Sequence, residues 1–397
     1  MAKSQKNKSD QDHTSVITTS EHVQRIALDF ADAEFLAIDT EFMREQTYYS
    51  QLCLIQISDG KTAVAVDPLA PNIDLTPLWK LFANPAITKV FHAAHQDLEI
   101  FVKEMGTLPL PLFDSQIAAT VLGHGDQVGY DRLVRAVLRH DIDKSSRFTD
   151  WSRRPLSARQ ISYALDDVIY LAEMYPLLQA QLADKGRESW LEDENAKLAD
   201  PGTYQTDPDD AWKRIKVRNM KPAALRRMIH LAAWREREAQ TRDLPRNRIL
   251  RDETILDLCG TNPSKKDEFG KIRNFPGGAN GKLVTPVLKI LRDVDAMPDS
   301  TLPEAKSEDR KPKPPAAVME LLRVLLKHIT DDAGIAPRLV ASADELEAIA
   351  IDDNAAIRAQ TGWRHDVFGA AALRLKHGKI ALAANGRRIK MIELDDA

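Results

Sequence analysis

FLAIDTEF, residues 35–42, is the stretch from which the fold of this chain is read. Phe35, Leu36, Ala37 and Ile38 form a short apolar run with β-branched and aromatic content, which predicts a buried strand. Two carboxylates follow, Asp39 and Glu41, at i and i+2. On a strand those positions share one face, so the pair emerges together where the strand meets solvent. A carboxylate beside an apolar run is costly unless a positive charge meets it. Taken alone, a DxE pair at a strand end is most often surface decoration, so the reading depends on what surrounds it.

Downstream, SQLCLIQIS (50–58) reads as a second strand. Leu52, Leu54 and Gln56 fall on one face and Cys53, Ile55 and Ile57 on the other. TAVAVDPL (62–69) is a third, ended by Asp67-Pro68. LTPLWKLFANP predicts a helix, ITKVFHA a further strand, and HQDLEIFVKEM, SQIAATVLG and DRLVRAVLRH helices. A long helix is predicted from about Ser157 to Ala183. Strands first, then alternating helix and strand, imply a mixed sheet flanked by helices. Two more acidic positions belong to this region. Asp97, in VFHAAHQDLEIF, sits in the first turn of a helix, where the helix dipole also favours an acid. Tyr163 and Asp167, in ISYALDDVIYL, lie at i and i+4 and so share a helix face, while Asp166 points elsewhere. Four carboxylates set among apolar runs call for a cation, and divalent metals are the usual answer. Asp114, before SQIAAT, reads as a helix N-cap, and His92 and His95 as structural histidines.

The chain has 397 residues, 43% hydrophobic and 29% charged, which suits a multidomain globular protein rather than a disordered one. No apolar run reaches the roughly 18 residues of a membrane span. The polar start, MAKSQKNKSDQDHTS, has no apolar core of a signal peptide and is expected to be a disordered lead-in. Cys53 and Cys259 fall in different predicted domains, which argues against a disulfide framework and for a reducing cytoplasm. The net charge of −4 conceals an asymmetry: residues 211–251 carry thirteen Lys/Arg against three acids. A basic module on an otherwise acidic chain suggests a docking surface for a polyanion; a solvated helix face is the plainer alternative. Pro, Gly and Asp collect in ADPGTYQTDPDD (199–210), and Pro and charge in MPDSTLPEAKSEDRKPKPP (297–315), marking two boundaries. The closing KIALAANGRRIKMIEL admits either a hairpin turning at Asn385-Gly386 or a helix, turn and tail.

In order and spacing, the segments bearing Asp39 and Glu41, Asp97, and Tyr163 with Asp167 resemble the three exonuclease motifs of the DEDD superfamily, in its Tyr-bearing branch. The resemblance is closest to the ribonuclease D family. Lys144, Ser145, Asp150, Trp151, Arg154, Pro155, Leu156 and Gln160 fall where that family's lead-in to the third motif has them. AAWREREAQTRDLPRNRILRDETILDLC (232–259) is similar to the HRDC domain, a small helical nucleic-acid-binding unit, and no Walker A motif supports a helicase motor.

The resemblance implies an α/β ribonuclease H-like exonuclease domain followed by two small all-α HRDC-type domains. The expected boundaries are a lead-in 1–15, an exonuclease domain 16–200, an HRDC domain 208–296, a linker 297–315, and a divergent HRDC-like domain 316–397. It implies a 3′–5′ exoribonuclease releasing 5′-mononucleotides, with two divalent cations, Mg²⁺ or Mn²⁺, held by Asp39, Glu41, Asp97 and Asp167, Asp39 bridging them. Tyr163 would orient the attacking water. Thr40 and Phe42 are expected at the terminal nucleotide and Lys144 at a phosphate. Lys213, Lys216, Arg218, Arg226 and Arg227 are expected to dock structured RNA, with tRNA precursors as substrate. No membrane and no obligate protein partner is expected. Two other readings stay open: a DNA exonuclease of the same superfamily, and a non-catalytic RNA-binding scaffold.

Overall fold

The computed structural model describes residues 16–143, 146, 149–217, 220–302 and 312–394; the expected lead-in at 1–15 lies outside them. The chain forms two compact units. The first comprises residues 1–41, 53–200 and 310–397, and the second residues 42–52 and 201–309.

Unit 1 is built on a six-stranded sheet. In chain order its elements are β1 (Val16–Ile17), α1 (Ser20–Asp29), β2 (Phe35–Met43), β3 (Gln51–Ser58), β4 (Ala63–Val66), α2 (Thr76–Phe82), β5 (Thr88–Phe91), α3 (His95–Met105), β6 (Leu112–Asp114), α4 (Ser115–Leu122), α5 (Tyr130–Leu138), α6 (Ala158–Lys185) and α7 (Glu188–Leu198). The strand order is β1-β4-β3-β2-β5-β6. β3 and β4 run antiparallel, whereas β2, β5 and β6 run parallel, with Ala37 opposite Val90 and Val90 opposite Phe113. The sheet is therefore mixed and helix-flanked. β3 is central, and seven of its eight residues are buried, so neither of its faces meets water. β1, α1 and β6 were not anticipated: β1 and β6 are too short to show a period, and α1 is largely polar.

Alternation along β2 does the positioning. Leu36 and Ile38 are fully buried on one face. Phe35, Ala37, Asp39 and Glu41 share the other. Ala37 packs in one apolar cluster with Val168 and Leu171 of α6, and the Phe35 ring lies 4.6 Å from that of Tyr175. α6 thus runs antiparallel across β2, and its N-terminal turns, carrying Tyr163 and Asp167, reach the Asp39–Glu41 end. This helix begins with a capping box between Ser157 and Gln160 and ends at Gly186 in the left-handed region.

The last module also belongs to unit 1. It consists of α12 (Ala316–Ala333), α13 (Pro337–Val340), α14 (Ala343–Ile351), α15 (Gly362–Arg364), α16 (Ala370–Lys376), β7 (Ile380–Asn385) and β8 (Arg388–Glu393). The helices α8 (Pro222–Arg242), α9 (Arg246–Ile249), α10 (Asp252–Thr261) and α11 (Val284–Asp295) precede it in the chain and belong to unit 2. Of the two endings the sequence left open, the hairpin forms, Asn385 pairing with Arg388. The module is anchored by Trp190 stacking on Trp363 at 4.2 Å and by the buried ion pair of Arg364 with Glu194. Arg187 donates both to the carbonyl of Val121 at 2.7 Å and to that of Ala333 at 2.6 Å. Gly123 is required at this seam, because a Cβ there would lie 1.9 Å from the carbonyl oxygen of Gly334.

Unit 2 is helical around a core that includes Met228, Leu231, Ile255, Leu258, Phe269 and Val287, with Trp212 and Trp234 packed against it. Cys259 is buried here, its thiol pushed up to about 12 by burial, and Cys53 is buried in unit 1. Among the described residues no helix is long and apolar enough to cross a membrane.

Candidate active site

Asp39, Glu41 and Asp167 converge. Carboxylate oxygens of the three lie within 4.8 Å of one another. Two come from one face of β2 and the third from α6, which the antiparallel crossing brings over them. All-oxygen donors in such a group suit a hard divalent cation. Burial pushes the Asp39 carboxyl well above its usual range, and the charge of Asp167 pushes it further; the backbone amide of Thr40 opposes both. Each charge at this point disfavours the next, a condition that a bound cation relieves. The residues present therefore fit the metal implied by the motifs.

Asp97 stands beside this group rather than in it. It is 7% exposed, in the first turn of α3. Its carboxyl is also raised well above the ordinary range, first by burial and then by the charge of Asp39. Thr40 Oγ1 donates to Asp97 Oδ1 at 2.5 Å. The Thr40 side chain, expected at the terminal nucleotide, is 5% exposed and turns its hydroxyl to Asp97. Strand alternation explains why. With Asp39 and Glu41 on the α6 side, Thr40 must point to the opposite side of β2.

Asp114, Tyr130 and Arg154 brace the elements that carry the site. Asp114 caps α4, as expected, through Gln116 N at 2.8 Å and Ile117 N at 3.3 Å. It also accepts from Ala93 N at 3.1 Å and Ala94 N at 2.8 Å, and so fixes the turn that launches α3 and Asp97. Tyr130 donates its hydroxyl to the carbonyl of Asp167 at 2.5 Å, tying α5 to α6 at the metal-ligand position. Arg154 grips Asp67 with Nε and Nη2, both at 2.6 Å, and reaches the carbonyls of Cys53 at 2.6 Å and Trp151 at 2.7 Å. This fork fastens the loop before α6 to the β3–β4 region. Trp151, buried on that loop, lies 6.2 Å from the Tyr163 ring. The family lead-in had marked Arg154 and Trp151, but only the fold shows what they brace.

Of the two histidines, His95 is exposed and His92 is held within the fold. His92 Nδ1 meets Ser115 Oγ at 2.9 Å and its ring packs edge-on to Tyr130. Burial lowers its pKa. Phe42 is half-buried near the end of β2. Lys144 and Arg218 lie outside the described residues.

The docking residues separate. Lys213 and Lys216 are exposed, Lys213 pairing with Asp210 at 2.6 Å. Arg226 and Arg227 are engaged within their own unit. Arg226 is 5% exposed and donates to the carbonyls of Met297 and Pro298 and to Thr301. Arg227 is engaged by Asp295 at 2.7 Å and by the carbonyl of Cys259. Both satisfy groups of their own unit, Arg226 from a buried position and Arg227 from a half-buried one.

A mixed sheet, four carboxylates on three elements and a tyrosine one turn before the last define the class of a DEDD-type 3′–5′ exonuclease. Residues 14–183 match the family model described as 3′-5′ exonuclease, and residues 224–291 match that of the HRDC domain. Ribonuclease D of Acidiphilium cryptum (strain JF-5) is 45% identical over 380 residues, 96% of this chain and 97% of that protein. Ribonuclease D of Jannaschia sp. (strain CCS1) is 45% identical over 383 residues, covering 95% and 99%. The crystal structure of Escherichia coli RNase D, described as an exoribonuclease involved in structured RNA processing, superposes with a TM-score of 0.78 at 28% identity. That match covers 92% of this chain and 98% of that one. The chain belongs to the ribonuclease D family and is a 3′–5′ exoribonuclease. Its exonuclease domain is of a divalent-metal-dependent superfamily, and the acidic group that such a metal needs is present.

Proposed function

We propose that this enzyme trims the 3′ ends of structured RNA, tRNA precursors foremost, in the cytoplasm, releasing nucleoside 5′-monophosphates. The observation that carries the reading is the convergence of Asp39, Glu41 and Asp167, with Asp97 alongside through Thr40. In this reading Asp39, Glu41, Asp97 and Asp167 would hold the two divalent cations, Mg²⁺ or Mn²⁺, which suit all-carboxylate donors. Such a pair supplies positive charge to both the attacking and the leaving oxygen of an in-line displacement.

The chain's own groups do the rest. Tyr163 orients the attacking water through its hydroxyl; a phenol is a weak base at neutral pH, so positioning is a more economical role than proton abstraction. Trp151 and the Arg154 clamp keep the Tyr163 ring in place. Phe42 offers a ring on which the terminal base can stack. Lys213 and Lys216 remain as phosphate contacts, salt-sensitive and indifferent to sequence. No obligate protein partner is invoked.

A paired digestion tests this. The protein is incubated with Mg²⁺ and a 5′-labelled tRNA bearing a 3′ trailer, beside single-stranded DNA of matched length, with Asp167→Ala in parallel. Stepwise shortening of the RNA alone, abolished in the variant, is the expected result. Shortening of the DNA instead would move the assignment to a DNA exonuclease, and binding without cleavage to a scaffold.

A further inference from the structure

The stretch that leaves β2 directly after Glu41 belongs to unit 2, as residues 42–52, and within it 44–50 carry neither helix nor strand. Such a stretch has no ladder or helix of its own, so its conformation is set by the groups that hold it. Those groups come from α8, α9 and the residue that ends α8. The half-buried Tyr48 donates its hydroxyl to Glu236 and accepts from Arg246 Nη2 at 2.9 Å and from Gln240 Nε2 at 3.2 Å. One donor and two lone pairs are all that a phenol hydroxyl has, so its capacity is fully used. Arg246 grips Glu236 through Nε at 2.5 Å and Nη2 at 2.6 Å, and its guanidinium lies 4.7 Å from the centroid of the Tyr48 ring. The backbone amides of Tyr48 and Tyr49 both donate to Asp243 Oδ1, each at 3.0 Å. Arg248 donates to Gln46.

Two of these placements are explained by the stretch they hold. The Glu236 side chain is 0% exposed, and a carboxylate so buried is destabilising unless paired and hydrogen-bonded; Tyr48 adds a hydroxyl donor to the fork of Arg246. Asp243 ends α8 in the left-handed region, at φ 48°, where the helix dipole disfavours an acid. The two amides of the stretch answer that charge. Glu41 is the last residue of unit 1 before the stretch, and Phe42 and Met43 continue the same strand. The direction of the Glu41 side chain follows the backbone on both sides of it, and a metal site tolerates displacements of only about 0.5 Å. We propose that Tyr48 and Asp243 are positioning residues of the exonuclease site: by fixing the chain that leaves β2 after Glu41, they hold the Asp39–Glu41 pair in its metal-binding geometry. The proposal rests on the reading above that this pair holds metal.

Hydrolysis of a 5′-labelled RNA tetranucleotide across a Mg²⁺ series tests this, in the full-length parent, Tyr48→Phe, Asp243→Ala and Asp243→Asn. A substrate this short does not report on docking of an RNA body. In Tyr48→Phe and Asp243→Ala, kcat should fall roughly tenfold and the Mg²⁺ concentration giving half-maximal rate should rise, with KM for the oligonucleotide within about twofold of the parent. Asp243→Asn keeps the Oδ1 acceptor and should recover most of the loss. With Asp167→Ala added so that RNA is not consumed, the Kd of a labelled tRNA with a 3′ trailer, read by fluorescence anisotropy, should stay within about twofold. Weaker tRNA binding with parent-like hydrolysis of the tetranucleotide would assign the stretch to docking and overturn the proposal. A lowered melting temperature with kcat and Mg²⁺ dependence unchanged would overturn it too, leaving these contacts a role in the stability of unit 2 alone. Should Asp243→Ala not fold, Tyr48→Phe, which keeps the ring over Arg246, carries the test. Asp39→Asn is run in parallel. Activity retained there refutes the metal-site reading itself, whereas its loss beside parent-like Tyr48 and Asp243 variants refutes the positioning role alone.

Discussion

The acidic site of unit 1 and the basic module of unit 2 are both dense in charge, yet their charges are arranged in opposite ways. At the acidic site like charges face one another: Asp39, Glu41 and Asp167 within 4.8 Å, with Asp97 next to them. In the basic module many cations are already answered: Arg226 by carbonyls, Arg227 by Asp295, Arg235 by Asp252 and Arg246 by Glu236. Carboxylates of like charge set this close together favour a counter-ion between them. A cluster neutralised from within is part of the fold, and only its remainder is available to a ligand.

The largest effect expected of a single change is at the acidic site. Asp39→Asn or Asp167→Ala should lower the rate of RNA shortening by well over the roughly 10–100-fold that loss of an outer metal-site partner brings. Divalent cation should also raise the melting temperature of the parent and do so less in the variants, since binding to the folded state stabilises it by mass action. A parent whose melting ignores Mg²⁺ and Mn²⁺ would break the comparison on its acidic side.

Next in size is Thr40→Val. It keeps the shape and removes the donor to Asp97, and should cost roughly 10–100-fold in activity or in metal affinity. Thr40→Ser should recover most of it. If Val equals the parent at every metal concentration, Asp97 does not depend on that hydrogen bond.

On the basic side, Arg226→Met should destabilise unit 2 by about 1–3 kcal/mol, because it leaves the carbonyls of Met297 and Pro298 without their donor. RNA affinity and its salt slope should stay within twofold or so of the parent, as expected for a cation that contacts no phosphate. A salt slope lowered by one would return Arg226 to the docking surface.

The smallest effect is a pH dependence. Burial raises the pKa of Glu236, but hydrogen bonds from Arg246 and Tyr48 outweigh it, so the carboxyl lies below its ordinary value. A depressed folded pKa adds stability that is fully present above the unfolded value, near 4.5, and is lost as pH falls through the folded one. Glu236→Gln should therefore lower stability at neutral pH and flatten the acid limb of unit 2 unfolding. Chemical denaturation at a series of pH values reads this directly, and an unchanged acid limb would detach Glu236 from the pair.

Much of this was legible in the sequence because periodicity and spacing are local. The i, i+2 pair of Asp39 and Glu41 on a strand and the i, i+4 pair of Tyr163 and Asp167 on a helix place each pair on one face before any tertiary contact is known. The Asp114 cap and the strand at Thr88–Phe91 follow from the same local rules. Thr40 could have been read as well: alternation puts it opposite Asp39, away from α6. The fate of the arginines could not. Arg226 and Arg214 are both basic residues in one basic run, and no local pattern separates the one that closes its own fold from the one that stays exposed.

By itself, the sequence determined the chemistry at the acidic site. Carboxylates beside apolar runs, at strand and helix spacings, call for a cation, and the resemblance of their order to the exonuclease motifs implies that it is a metal. Tertiary structure alone decided which charges are met from within. That depends on which carbonyl or carboxylate the chain brings back from far along its length, as Met297 is brought to Arg226 and Asp67 to Arg154. A charge is read locally, but its neutralisation is a long-range contact.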